Sequence, residues 1–416
     1  MSDPADQPPS RLNRTLGTGD AVVVGLGAMI GAGVFAAFGP AAAIAGSALL
    51  PALALAGCVA YANATSSGRL AARYPQAGGA YVYGRERLGA FWGHLAGWSF
   101  VVGKTASCAA MALTFAAYLA PGAQRPVAVA AVAAVTAVNL RGVAKTAFAS
   151  RVILALVLAA LALVVVAAVV GGTAQLERLG PAEAVGGPLE VLRAAGLLFF
   201  AFAGYARIAT LGEEVRDPER TIPRAIPLAL AVAFLVYLAV GAAALAAVGA
   251  RGLATSGAPL VAVVDAGRLA AAAPLVRAGA VAAALGVLLS LTAGASRTAF
   301  AMAANGDLPR GLAAVSARLR TPWAAEVAVA VAVSAALLVT DLRGAIGFSS
   351  FGVLLYYGVA NASALTLPGA RVARPLALAG LAGCALLAFS LPPSAVLGGL
   401  AVTALGAGVF GLRHRR

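Results

Sequence analysis

The sequence predicts an all-α integral membrane protein with about twelve transmembrane helices. Three observations carry that prediction. Of its 416 residues 61% are hydrophobic and only 11% charged, with a mean hydropathy of +0.92, whereas a soluble domain keeps about a quarter of its residues charged. Apolar runs of about 20 residues, enough to cross a bilayer as a helix, recur along the whole chain. The runs are continuous, as in VILALVLAALALVVVAAVV (Val152–Val170), and lack the strict apolar/polar alternation of a membrane barrel.

The spans expected from these runs are 20–46, 47–72, 87–119, 125–140, 146–171, 191–213, 224–249, 275–303, 323–340, 344–367, 374–391 and 393–412. The polar, Pro-rich start MSDPADQPPS has no apolar core of the kind a signal peptide carries, so residues 1–19 are expected to be a disordered tail. The net charge of +15 invites a nucleic-acid partner, but its placement explains it otherwise. About 20 of the 30 basic residues fall on one side: Arg11 and Arg14, Arg69 to Arg87, Arg141 to Arg151, Arg216 to Arg224, Arg310 to Arg320, Arg371 and Arg374, and Arg413 to Arg416. Positive loops face the cytoplasm, which predicts cytoplasmic termini, an even number of crossings, a lipid bilayer as partner and no nucleic acid. Cys58, Cys108 and Cys384 lie inside spans without paired spacing, and His94 and His414 are too few and too far apart for a metal cluster.

The first span holds GLGAMIGAGVF, with Gly25, Gly27, Gly31 and Gly33 inside nine positions. Each glycine costs a helix about 1 kcal/mol relative to alanine. A dinucleotide-binding turn would need a preceding strand and an acidic residue some 20 positions on, and no Asp or Glu occurs between Asp20 and Glu86. Two readings remain. Small residues four apart, Gly27 and Gly31, allow close helix packing. Alternatively the helix is discontinuous, its freed backbone groups facing a cavity, as in transporters built from inverted repeats. A matching break five helices later would favour the second. The sixth span supplies Gly204 within LLFFAFAGYARIATLGEEVRDPERTIPRAI (Leu197–Ile226), flanked by Phe200, Phe202 and Tyr205. That pairing predicts a five-plus-five inverted repeat, 20–171 and 191–367, forming a core over 20–367. Two additional helices follow over 374–412, and then a short tail, 413–416.

MIGAGVF, then YPQAGGAYVYGRERLG (Tyr74–Gly89) with Gly97-Trp98, then FFAFAGY…EEVRDP…IPRAI, then GASRTAFAMAANGDLP (Gly294–Pro309), occur in that order. The ordered set, over about Ala21 to Leu367, resembles the amino acid–polyamine–organocation permeases, and most closely their cationic amino acid transporter branch and its bacterial relatives. The resemblance implies a leucine-transporter-type fold with broken helices 1 and 6 and alternating access across a cytoplasmic (inner) membrane. No nucleophile–base pair, metal cluster or acid pair is visible at membrane depth in the sequence, so no enzyme activity is expected, nor a cofactor beyond a coupling proton or sodium ion, nor an obligate protein partner. The resemblance puts the substrate carboxylate on the N–H groups of Gly31, Ala32 and Gly33, and the α-ammonium on the carbonyls of Met29, Phe200 and Ala203. Gly204 would open helix 6, and Phe202 and Tyr205 would cover the site.

Ionisable groups inside spans are costly and usually functional. Lys104 in span three is a candidate for coupling, because the lysine many relatives carry in span five is missing from RVILALVLAALA. Arg207, three residues past Gly204, either repels a cationic substrate or reaches away to Glu213, Glu214 or backbone carbonyls. Arg297, near the inner end of span eight, reads as a snorkelling side chain. Glu213 and Glu214 are expected in an inner gate, and Asp217-Pro218 as an N-cap with proline at N1 that starts a short cytoplasmic helix. Sodium coupling would draw on Ser290, Thr292 and Ser296 of span eight. A polyamine or organic-amine transporter, or an exchanger, is the alternative to amino-acid uptake, and a transporter-fold sensor ranks last.

Overall fold

A computed structural model describes residues 16–31, 33–74, 78–142, 147–209, 211, 214–316, 319, 321–368 and 373–414. The described residues form sixteen α-helices: α1 Thr18–Met29, α2 Gly33–Ala45, α3 Leu49–Arg73, α4 Ala80–Leu88, α5 Ala90–Leu119, α6 Gln124–Leu140, α7 Ala147–Val170, α8 Pro188–Phe202, α9 Ala206–Ala209, α10 Pro218–Thr255, α11 Pro259–Asp265, α12 Ala273–Ala304, α13 Trp323–Val339, α14 Leu342–Leu365, α15 Ala373–Ser390 and α16 Pro393–His414. Strand-like bridging is confined among the described residues to two isolated bridges, Leu16 with Val215 and Gly46 with Ala184.

Among the described residues, ten helices are long and apolar enough to cross a membrane. The bent pair α1 and α2 makes an eleventh, the two halves meeting at 45°. The expected twelve is therefore not reached on length. The ninth expected span, 323–340, is α13, whose 17 residues fall just short. The first span, written above as one run, is two helices, as the glycines suggested. The sixth departs less from a straight helix: α8 passes through a single 3₁₀ turn, Ala203–Tyr205, into the short α9.

The start of α10 is a second difference. Pro218 occupies the first helical position as expected, but Asp217 sits in the left-handed region at φ 44° and its side chain caps nothing. No separate cytoplasmic helix forms. The chain continues from Pro218 as one 38-residue helix, interrupted only at Gly249, where φ is 68°.

The centre of the molecule is formed by α1, α2, α3, α8, α10 and α14, where Ala, Val, Leu and aromatic side chains are almost wholly buried. Small residues dominate because helices in lipid associate by close packing and not by hydrophobic exclusion. Tyr237, Tyr357, Tyr205, Phe199 and Phe202 are the large side chains at this centre, each exposed by 1% or less.

Candidate functional site

The glycines place the two interrupted helices against each other. A Cβ on Gly204 would lie 2.3 Å from the Ala28 carbonyl oxygen and 2.7 Å from the Met29 nitrogen. A Cβ on Gly33 would lie 2.9 Å from the Cα of Ala201. Backbone meets backbone at both points, so neither position has room for a side chain. Gly31 is pressed on Val287 of α12 and Gly25 on Ile208 of α9. Gly27 faces open space, so the Gly27/Gly31 packing pair does not form; the contacts use Gly25, Gly31 and Gly33. Ile30 leaves helical geometry at ψ 51° while its N–H still reaches Leu26 O. Ala32 lies outside the described residues, so of the three N–H donors expected for a carboxylate the structure describes Gly31 and Gly33.

The carbonyls of these breaks already hold donors. The Tyr237 hydroxyl, from α10, lies 2.5 Å from Met29 O and 3.0 Å from Ala201 O. The Tyr357 hydroxyl, from α14, donates to Ala203 O at 3.1 Å. Phe200 O accepts the N–H of Ala203 in the 3₁₀ turn. A carbonyl has at most two acceptor positions, so a substrate donor here would share or contest these carbonyls with the groups already bound. Tyr237 and Tyr357 are side chains that sequence reasoning missed. The available signal was a tyrosine inside otherwise aliphatic stretches, such as LVYLAV, since a buried phenol needs a partner. Phe202 packs edge-on against Tyr237 with ring centres 5.2 Å apart, and Tyr205 stacks on Tyr357 at 4.9 Å.

The charged candidates lie elsewhere. Arg207 is about half exposed, its guanidinium 3.8 Å from Glu214 Oε1. Of its two open readings, this geometry is the one that reaches away from the break. The adjoining Ile208 is fully buried against Gly25, which turns Arg207 outward by the helix's rotation of about 100° per residue. Glu214 contributes backbone as well: its carbonyl accepts from Leu16 N, while Arg216 N donates to Leu16 O. Together with the Arg151–Asp20 ion pair at 2.6 Å, this closes the chain's start over the loop after α9. Glu213 lies outside the described residues. Lys104 is 8% exposed, with its ammonium 5.7 Å from the centre of the Phe100 ring. Among the described residues no carboxylate lies within ion-pair distance of it. Ser290, Thr292 and Ser296 each donate to a carbonyl of their own helix.

A second cluster, to which the sequence pointed only as a motif, gathers at the end of the molecule that carries the basic loops. Asp307, whose side chain is fully buried, accepts from Tyr81 at 2.6 Å and from Arg85 at 2.7 Å, and His94 Nδ1 lies 3.8 Å away. Asn305 donates to the Tyr81 hydroxyl, and Arg413 of α16 reaches the carbonyls of Gly306 and Leu308. Burial alone would push the Asp307 carboxyl up. The neighbouring His94, the Tyr81 hydrogen bond and the Arg85 charge outweigh it and hold the group below the ordinary carboxylate range. Burial, with the Asp307 hydrogen bond, pushes the Tyr81 phenol up to about 12.

The loop after α7 is tied to α10 and to the turn between α2 and α3. Arg178 donates to carbonyls freed near the Gly249 kink, Glu183 accepts from Ala250 N, and Ser47 donates to Gly180 O.

Comparison with known proteins agrees with this architecture. The family model described as amino acid permease matches residues 20–374. An uncharacterized transporter of Mycobacterium tuberculosis is 57% identical, covering 99% of this chain and 94% of its own. The branched-chain amino acid permease BcaP of Bacillus subtilis is 26% identical over 76% of this chain and 72% of its own. The low-affinity putrescine importer PlaP of Escherichia coli is 30% identical over 42% of this chain and 41% of its own. A family match over most of the chain, on a helical body with ten or eleven candidate spans, makes this a multi-pass membrane transporter and not an enzyme. The chain belongs to the amino acid permease family.

Proposed function

We propose that this permease carries a neutral amino acid across the cytoplasmic membrane by alternating access, its substrate's backbone held between the breaks of α1/α2 and α8/α9. The observation that carries this reading is the backbone contact of Gly204 with Ala28–Met29 and of Gly33 with Ala201 at the buried centre. There the N–H groups of Gly31 and Gly33 would hold the carboxylate, as Ala32 would by its place in the motif. The carbonyls of Met29, Phe200 and Ala203 would take the ammonium, at Ala203 in competition with the Tyr357 hydroxyl. Helix termini suit this because their unpaired N–H groups carry partial positive charge and their carbonyls partial negative charge.

The substrate side chain follows from what surrounds the breaks. Phe202, Tyr205, Tyr237 and Tyr357 carry no formal charge, and Arg207 faces outward. A cationic side chain would lose its hydration there without a carboxylate in return. The same four rings support a second reading, an organic diamine held over aromatic faces. The Leu16–Val215 bridge and the Arg413 contacts with the 306–308 loop tie both ends of the described chain to loops on one side, in keeping with cytoplasmic termini. Lys104, a buried cation with no carboxylate in ion-pair distance among the described residues, is the group proposed for proton coupling.

Uptake of labelled L-leucine, L-arginine and putrescine into proteoliposomes, with and without an inward proton gradient or sodium, tests the assignment. Preferential accumulation of L-leucine is expected. Preference for putrescine would select the diamine reading, and preference for L-arginine, or no uptake of any of the three, would refute the site as drawn.

A further inference from the structure

Two neighbouring tyrosines on α14 touch two different parts of the transport apparatus. Tyr357 donates to Ala203 O inside the 3₁₀ turn and stacks on Tyr205. Tyr356 accepts the N–H of Ala80, the first residue of α4, at 2.9 Å. Consecutive residues on a helix point about 100° apart, which lets one turn of α14 face the break and the inner helix together. The fit is close: a Cβ on Gly79, whose φ is 56°, would lie 2.0 Å from the Tyr356 hydroxyl. The two rings touch with centres 5.2 Å apart. The register of this turn is fixed from behind, since Asn361 donates both to Tyr357 O and to Asn63 of α3.

α4 is held at other points too: Arg87, near its far end, donates to Thr366 at the end of α14. Arg85 and Tyr81 bind Asp307, which follows α12. The helix thus lies along α14, bound to it at both ends, with the chain beyond α12 held by its first turn and middle. Its first residue is set by Tyr356, next to the residue that occupies a substrate acceptor.

We propose that Tyr356 and Tyr357 form a mechanical link between the break in helix six and the start of α4, in which the substrate ammonium takes Ala203 O from the Tyr357 hydroxyl and so frees that end of α4 to move. The link rests on the substrate reading above, because it needs an ammonium at Ala203 O. An ionised donor makes a hydrogen bond roughly twice as strong as a neutral one, so the exchange runs toward the substrate. Both tyrosines are positioning residues: Tyr357 meets the substrate's acceptor and Tyr356 transmits its displacement.

The test uses the full chain in detergent with a Val82→Cys reporter on α4, in a Cys58→Ala background that leaves only the buried Cys108 and Cys384. Val82 is half-buried against the core, so its reaction with a water-soluble maleimide reads release of α4. Without ligand, Tyr357→Phe and Tyr356→Phe should each speed labelling about fivefold, the shift expected from losing one ordinary hydrogen bond. The double variant should be no faster than the quicker single, because links in series are not additive. L-leucine should speed labelling of the parent protein and leave Tyr357→Phe unchanged. Unaltered labelling in both ligand-free variants, or additive effects, would overturn the link even where L-leucine binds. The expected ligand-free pattern with no response to L-leucine would support the link and overturn the neutral amino-acid reading alone. Thermal midpoints near that of the parent show that the variants fold; should Tyr357→Phe fail to fold, Tyr356→Phe carries the ligand-free test.

Discussion

Gly204→Ala is the sharpest perturbation of the proposed site. The added methyl would sit 2.3 Å from Ala28 O, 2.4 Å from Ala28 C and 2.7 Å from Met29 N. A carbon approaches a carbonyl oxygen no closer than about 3.3 Å, so the two backbones must part by about 1 Å. Neither is a flexible side-chain tip that could turn aside. Overpacking of this kind costs about 1–3 kcal/mol, and two opposed backbones place it at the upper end. Replacing glycine by alanine in a helical segment returns about 1 kcal/mol. The net penalty on the assembled site is therefore about 2 kcal/mol, or about thirtyfold in its population at 1.4 kcal/mol per decade. Initial uptake of the preferred substrate in proteoliposomes, corrected for the amount of inserted protein, should fall by about that factor. Gly27→Ala is the matched control: nothing lies within 4 Å of its Cβ position, so uptake should be unchanged and the thermal midpoint should hold or rise. Gly204→Ala transporting within threefold of the parent, or the two alanines behaving alike, would refute the argument that backbone contact between the breaks builds the site.

Arg207→Ala should change the substrate KM and the preference between L-leucine and L-arginine by less than about fivefold, because its exposed pairing with Glu214 at 3.8 Å belongs to a class worth about 0–1 kcal/mol. A larger change in that preference would put the side chain in the pocket after all. Lys104→Met should abolish most of any gradient-driven accumulation, about tenfold, and flatten its pH dependence, since a buried cation is costly to keep without a function. Normal uptake with an unchanged pH profile would remove Lys104 from coupling. Asp307 titrates below its unfolded value of about 3.9, so its contribution to stability is complete above about pH 4 and is lost as the pH falls through the folded pKa. Asp307→Asn should lower the thermal midpoint near neutrality, by an amount equivalent to about 1–3 kcal/mol. Its deficit relative to the parent should shrink below about pH 4 in melting curves taken from pH 3 to 7. A deficit independent of pH would refute the ionic role.

The sequence by itself determined the class of molecule, the position of nearly every helix and the pairing of the two breaks. These depend on local composition: an apolar run must become a helix in lipid because no other spanning segment satisfies its own backbone. The glycine run around Gly31 and the lone Gly204 were legible for the same reason, since glycine in a membrane helix marks either a close approach or an opening. Here it marks a close approach that places two openings together. The short α13 was less legible, because its apolar run allowed a boundary that the folded helix does not reach. Only the tertiary structure decided which way the polar side chains face. Arg207 looked adjacent to the site by its distance in sequence, yet the burial of Ile208 against Gly25 turns it outward. Tyr237 and Tyr357 lie 33 and 153 residues from Gly204, and no local pattern announces that their hydroxyls occupy the carbonyls of the breaks. Asp307 meets Tyr81 and Arg85 across more than two hundred residues of chain. Periodicity and composition act over one helix turn, whereas these partners are chosen by how whole helices cross, so the sequence specifies the acceptors and the packing selects their donors.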